Sequence, residues 1–352
     1  MQKSEGGLSN CKMTKREIVT VGGIALLIAA AVVVAARNRR WPLPPDVPVE
    51  APHVEVRVKA VERKPEPVGR GEIATASAAV AIVCGRDKAT ADRYEARNDA
   101  LRSIARRRDL PEDDVAALMA YLRRADDAMR VERVAALKND VMNLLRNQDP
   151  PVEGLAETLI VMFEGRGIST HNSSTPNSPT HPHPPAVLDY CIQHLGAMLD
   201  DLDEKGRLRV RAVLTKAARQ TRQPYAGTAL YSLDEDARTT LAQEAELKRL
   251  TLALCAPGAN HAARIAAIQL AGERGFADAL PLLRETLSAP SRDAVLDIAA
   301  IGSVGLLGNA DDIPLVESVA ARGGRRYAVA ANAAIERIKD RVARPSEGAD
   351  VR

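Results

Sequence analysis

Arg274-Gly275-Phe276-Ala277-Asp278-Ala279-Leu280-Pro281-Leu282-Leu283 and Leu307-Gly308-Asn309-Ala310-Asp311-Asp312-Ile313-Pro314-Leu315-Val316 are one turn written twice, 33 residues apart. Gly275 pairs with Gly308, Asp278 with Asp311, and Pro281 with Pro314. The helix ahead of each turn keeps the same offset, since Ile265-Ala266-Ala267-Ile268 returns as Ile298-Ala299-Ala300-Ile301. A third Ala-rich copy runs from Ala330 to Ile335. A period in this range means stacked helical hairpins, each too small to bury its apolar face alone. Alanine lets two helices pack closely, the Gly ends the first helix, and the Asp is expected to cap the second.

The Ala-Ala helix, Gly turn, Asp and Pro-Leu-Leu helix over residues 260–340 resemble the HEAT repeat, in particular the short bacterial form of bilin-lyase-like proteins. Arg97 to Leu110 and Tyr190 to Leu199 look like degenerate copies, and the upstream half lacks the Gly-x-x-Asp turn at regular spacing. The resemblance implies a right-handed α-solenoid whose concave face binds another protein. It carries over no catalytic residue.

Working outward, the helical pattern begins near residue 72 and runs to about 342. Val115, Leu118, Met119 and Leu122 fall at i, i+3, i+4 and i+7, after a start at Asp109-Leu110-Pro111 with acids in the first turn. Val131, Val134, Leu137, Val141, Leu144 and Leu145 repeat that spacing. Pro150-Pro151 breaks the chain before a helical stretch over 152–163. Tyr190, Cys191, His194, Leu195, Met198 and Leu199 share another face. No run of alternating strands with hairpin turns occurs. The fold class is all-α: a HEAT-like α-solenoid over 72–342, preceded by one transmembrane helix and a proline-rich stalk.

Ile18 to Ala36 holds 19 residues without a charge, about 28 Å as a helix and close to a bilayer's apolar thickness. Lys15 and Arg16 precede it; Arg37, Arg39, Arg40 and Trp41 follow, as interfacial anchors do. A tail over 1–17, this span over 18–36, and a stalk over 37–71 with seven prolines between 42 and 67 place the helical domain away from a membrane. Lys and Arg balance across the span, so the commoner arrangement, N-terminus in and the helical domain extracytoplasmic, is the expected one. Val54 to Lys59 alternates like a half-exposed strand lying against the following domain. Residues 343–352 form a tail.

The chain has 352 residues, 49 Lys and Arg against 46 Asp and Glu, and 3% aromatics. So even a charge and so few stacking rings argue against nucleic-acid binding. The basic run Arg102, Arg106, Arg107 and Arg108, with Arg123, Arg124, Arg130 and Arg133 beyond it, is interleaved with acids and reads as a solvated surface. Four Cys share no short spacing, which excludes a zinc ribbon. A Ser/Thr/Pro-rich insertion over 165–185 carries His171, His181 and His183, weak metal candidates without a neighbouring Cys or acid. No phosphate-binding Gly loop, nucleophile elbow or His-Glu-x-x-His is present. No catalytic residue and no cofactor are expected. The leading expectation is a membrane-anchored, non-enzymatic scaffold for a protein partner. The alternatives are a chromophore- or ligand-handling protein, by likeness to bilin lyases, and a metal-sensing module using the His loop. The oligomeric state leaves no trace in the sequence.

Overall fold

The computed structural model describes residues 75–87, 89–90, 92–125, 129–165, 183–236, 240–289 and 293–343. The tail 1–17, the span 18–36 with its flanking Lys and Arg, the stalk 37–71, nearly all of the 165–185 insertion and the tail beyond Ala343 lie outside them. Among the described residues every regular element is helical, and no helix is long and apolar enough to cross a membrane.

Among the described residues fourteen α-helices follow one another. The first six are α1 Ala76–Val83, α2 Tyr94–Ile104, α3 Glu112–Arg123, α4 Val131–Arg146, α5 Leu155–Glu164 and α6 Pro185–Ala197. Next come α7 Glu204–Ala218, α8 Tyr225–Asp234, α9 Leu241–Cys255 and α10 His261–Glu273. The last four are α11 Leu280–Ser288, α12 Ala294–Leu307, α13 Ile313–Gly323 and α14 Arg325–Ala343. Each helix packs on at least one chain neighbour, and the even-numbered helices also pack on one another in unbroken order from α2 to α14. Odd-numbered helices make a second layer, in direct contact from α1 to α7 and again from α11 to α13. The Ala-rich helices α10, α12 and α14 therefore all fall in the even layer.

The repeat offset is visible in burial. Ala267, Ala300 and Ala334 are fully buried, and Ile268, Ile301 and Ile335 follow them into the core. Each Leu or Ile so removed from water stabilises by roughly 1.5–3 kcal/mol. Close approach between even helices depends on small residues. A methyl on Gly305 would lie 2.7 Å from the Cα of Ala334, and one on Gly272 would lie 3.0 Å from the Cα of Ser303. Gly227 against Ala263 and Gly196 against Ser232 extend the same seam toward α6. Ser303 Oγ satisfies itself by donating to Ile268 O at 2.8 Å.

The turns differ from expectation in instructive ways. Gly275 takes a left-handed φ of 70° and closes α10 with two reversed bonds, Phe276 N to Ala271 O and Gly275 N to Gly272 O. Gly308 ends α12 in extended geometry instead, where Asp312 and the Val304 carbonyl leave no room for a side chain. Asp278 and Asp311 do not cap α11 and α13. Both sit inside short 3-10 turns, 277–279 and 310–312, that precede those helices. Asn309 and Asp312 close the second turn reciprocally. The side-chain caps that do keep the 33-residue offset are Asn260 on α10 and Asp293 on α12.

At the other boundaries, Pro111 rather than Asp109 or Leu110 precedes α3, because proline's fixed φ suits a helix entrance. The helix expected from residue 152 begins at Leu155, after Gly154 in left-handed geometry. Val131, expected on the apolar face, is exposed at the first position of α4.

Candidate interaction surface

Polar groups inside the fold are spent on holding helices together. Lys138 is fully buried, donating to Leu122 O at 2.9 Å and Arg124 O at 2.6 Å, with His183 Nδ1 3.4 Å away. Arg97 donates to Val83 O at 2.9 Å, Arg124 donates to Cys84 O, and both guanidinium groups lie over the Tyr121 ring with Lys138. These cations satisfy orphan carbonyls at the C-termini of α1 and α3, where the helix dipole favours positive charge. The device recurs downstream: Arg264 donates to Cys255 O, Arg322 to Leu287 O, and Arg341 to Gly308 O. Sequence pattern alone missed this, because the acceptors are backbone atoms and carry no residue signature.

Of the basic run, Arg123 is thus tied to Thr158 at 2.7 Å and Arg133 to Glu95 at 3.4 Å, whereas Arg106, Arg107 and Arg108 are exposed. Of the three loop histidines, His171 and His181 lie outside the described residues. His183 is buried and set against the Lys138 ammonium, so its Nδ1 is an acceptor there. Among the described residues no three His, Cys, Asp or Glu converge as a metal site. His194 is buried on α6 with Nε2 3.2 Å from Asn139 Oδ1, the orienter that a search for acids overlooks. Burial, with Arg146 nearby, holds its pKa down at about 4 and keeps the ring neutral. Cys84, Cys191 and Cys255 are buried thiols; burial pushes Cys191 and Cys255 up to about 12 and Cys84 upward as well. None is a poised nucleophile.

A cleft of about 160 Å³ opens between α7 and α9, with Leu233 of α8 beneath and Leu247 and Leu250 on its wall. Its cation, Arg211, is already held by the buried Asp236, which also binds Arg207 at 3.2 Å. The cleft is small, and its two charged groups, Arg211 and Glu246, are both engaged in ion pairs, so it has the features of a notch for a side chain rather than of a substrate pocket.

The even layer presents a different surface on α12. This helix is apolar nearly all round, Asp297 and Ser303 excepted, a pattern that normally means burial on every side. Yet Val295 and Leu306 are 43% and 42% exposed, Ile298 is half-buried, and the space above Gly302 is open. Spaced three, four and four residues apart, these four make one outward stripe. The equivalent position on α14 is Val329, 65% exposed, and on α10 the exposed Ala262 and half-buried Ile265. Nothing in the sequence marked this stripe as outward, because its apolar character is shared by the buried faces of the same helix.

Compared with known proteins, the chain matches no family model, no curated protein and no solved structure.

Proposed function

We propose that the chain is a HEAT-like α-solenoid scaffold that holds a protein partner, tethered to a membrane by residues 18–36 with the helical array extracytoplasmic. The observation that carries the reading is the outward apolar stripe Val295, Ile298, Gly302 and Leu306 on α12. Contiguous apolar surface of this kind is costly to leave in water and marks contact sites. Stacked hairpins supply a long surface for such contact, and the polar groups within the fold are committed to helix ends and ion pairs rather than converging on a pocket. The test is a photo-cross-linker placed at Val295 in the producing cell, with Arg106 as a control position. A discrete adduct at Val295 absent from the Arg106 sample is the expected result. Identical adduct patterns at both positions would remove the reading. A reporter fused after Arg352 that is active only outside the cytoplasm tests the tether, and silence from it would reverse the orientation.

A further inference from the structure

The geometry points to a specific class of partner for this face: an amphipathic helix with acidic residues along one flank of its apolar stripe. The inference rests on the scaffold reading and deepens it. Direct contacts fix how α14 is turned against α12. Tyr327 donates to Asp297 at 2.9 Å, Ala334 lies against Gly305, and Arg341 donates to the Gly305 and Gly308 carbonyls. These three α14 residues are seven apart and make the line that meets α12. Ile335 and Ile338, buried on one side of that line, turn toward α13, the other helix on which α14 packs. Turning the opposite way, away from α13, the next residues round α14 are Arg326, Ala330, Ala333 and Arg337, at i, i+4, i+7 and i+11.

Levels follow from the same contacts. Asp297 opposite Tyr327 sets Val295 beside Arg326, and Gly305 opposite Ala334 sets Leu306 near Arg337. Val295 to Leu306 and Arg326 to Arg337 are both eleven residues, about 16 Å of helix. An apolar row and a row ended by two arginines therefore run side by side. Lys339 is paired with Glu336 and Arg341 is held on carbonyls, whereas Arg326 and Arg337 are exposed and enter no ion pair among the described residues. Asp340, exposed one turn after Arg337, offsets part of the charge at that end. On the α10 side the exposed residues Ala262, Gln269 and Glu273 hold a single charge. The face is thus basic along one edge only.

A docked helix would seat its apolar residues on Val295, Ile298 and Leu306 and come close over Gly302, above which the space is open. Acids on the flank toward α14 would meet Arg326 and Arg337, and basic residues there would be repelled, so the charges select and orient the partner. A second copy laid antiparallel over Gly302 would set Arg326 of one chain against Arg337 of the other, so the face does not match itself in that way.

The probe is a display library of short helical peptides with randomised surface positions, selected against the full-length chain in detergent. Enriched sequences are expected to carry an apolar stripe with Asp or Glu on one flank only. Arg326→Glu combined with Arg337→Glu is expected to weaken their binding by about tenfold or more and to turn a fresh selection toward basic flanks. Val295→Asp or Leu306→Asp should weaken it to a similar degree. All four positions are exposed, and an unchanged thermal melt would confirm that each variant folds. No enrichment, or enriched helices without acidic bias, would overturn the inference. Binding that falls with Val295→Asp but ignores the charge reversal would overturn it while leaving the α12 stripe as the scaffold's contact. Binding insensitive to every substitution would overturn it and move the scaffold reading to another surface. A photo-cross-linker at Val295 that captures only phospholipid, or a second copy of the chain, would assign the face to that occupant and overturn it too.

Discussion

The two layers of helices differ in how closely their members approach. In the even layer, neighbours approach until backbone nearly meets side chain, at Gly305 on Ala334 and Gly272 on Ser303. Polar side chains bridge both layers: in the even one Arg133 meets Glu95, Thr228 donates to Asp189 and Tyr327 donates to Asp297, but the odd one has such bridges without the close glycine contacts. Ser77 donates to Asp114 between α1 and α3, and Arg123 to Thr158 between α3 and α5. Arg209 and Lys216 on α7 meet Glu157 and Glu164 on α5, and Arg219 meets Glu246 on α9. Lys248 reaches Asp278 and Arg284 reaches Asp312, in the turns before α11 and α13. Close packing is short-ranged and unforgiving, whereas exposed ion pairs tolerate separation and are screened by salt. Both layers bury apolar side chains, Leu118, Leu159 and Leu214 in the odd one among them; the even layer is the one closed by glycine contacts, and the odd layer admits the α7–α9 cleft.

The joint between the layers offers the sharpest break. Asp236→Ala leaves Arg207 and Arg211 buried without their shared carboxylate, and a loss of about 3–5 kcal/mol is expected in denaturant titration. A loss under 1 kcal/mol would show that burial does not separate this pair from the surface ones.

Acid should act on the even layer next. His194 titrates at about 4 in the folded chain against an ordinary value near 6.5. Between those values the unfolded chain binds a proton that the folded chain refuses, so stability falls as pH drops from about 6.5 to about 4 and levels off below. The contribution is roughly 3 kcal/mol. His194→Gln, measured across that window, should flatten this limb; an unchanged slope would mean that other groups govern it.

The direct comparison comes last. Gly305→Val should cost about 1–3 kcal/mol by overpacking against Ala334. Glu157→Gln, which removes a half-exposed ion pair with Arg209, should cost about 1 kcal/mol or less. Equal losses in thermal melts would erase the distinction between the layers.

What the sequence made legible follows the same division. The 33-residue repeat could be read because Gly, Asp and Pro recur as visible landmarks. The small-residue seam could not, because Gly196 meets Ser232, Gly272 meets Ser303 and Gly305 meets Ala334 at unequal separations. Asp278 and Asp311 were conspicuous yet misleading as caps, since a 3-10 turn absorbs them before each helix starts. The basic run read as a solvated surface is so at Arg106, Arg107 and Arg108, but Arg124 is instead a clamp on the end of α1 and Arg123 is tied to Thr158. The apolar stripe of α12 stayed hidden for a further reason: composition cannot tell which side of an all-apolar helix faces out.

The three buried thiols give this stack its own clock. A thiol raised in pKa and shut away from water reacts with an alkylating reagent only while its surroundings are open. Cys84 closes the first described helix, Cys191 sits midway in the even layer, and Cys255 ends α9 in the odd layer. In an array held by neighbour contacts, the ends open more often than the middle. Cys84 should therefore be alkylated well before Cys191, and the interval between them would time how far fraying travels inward. Equal rates would mean that the whole stack opens as one.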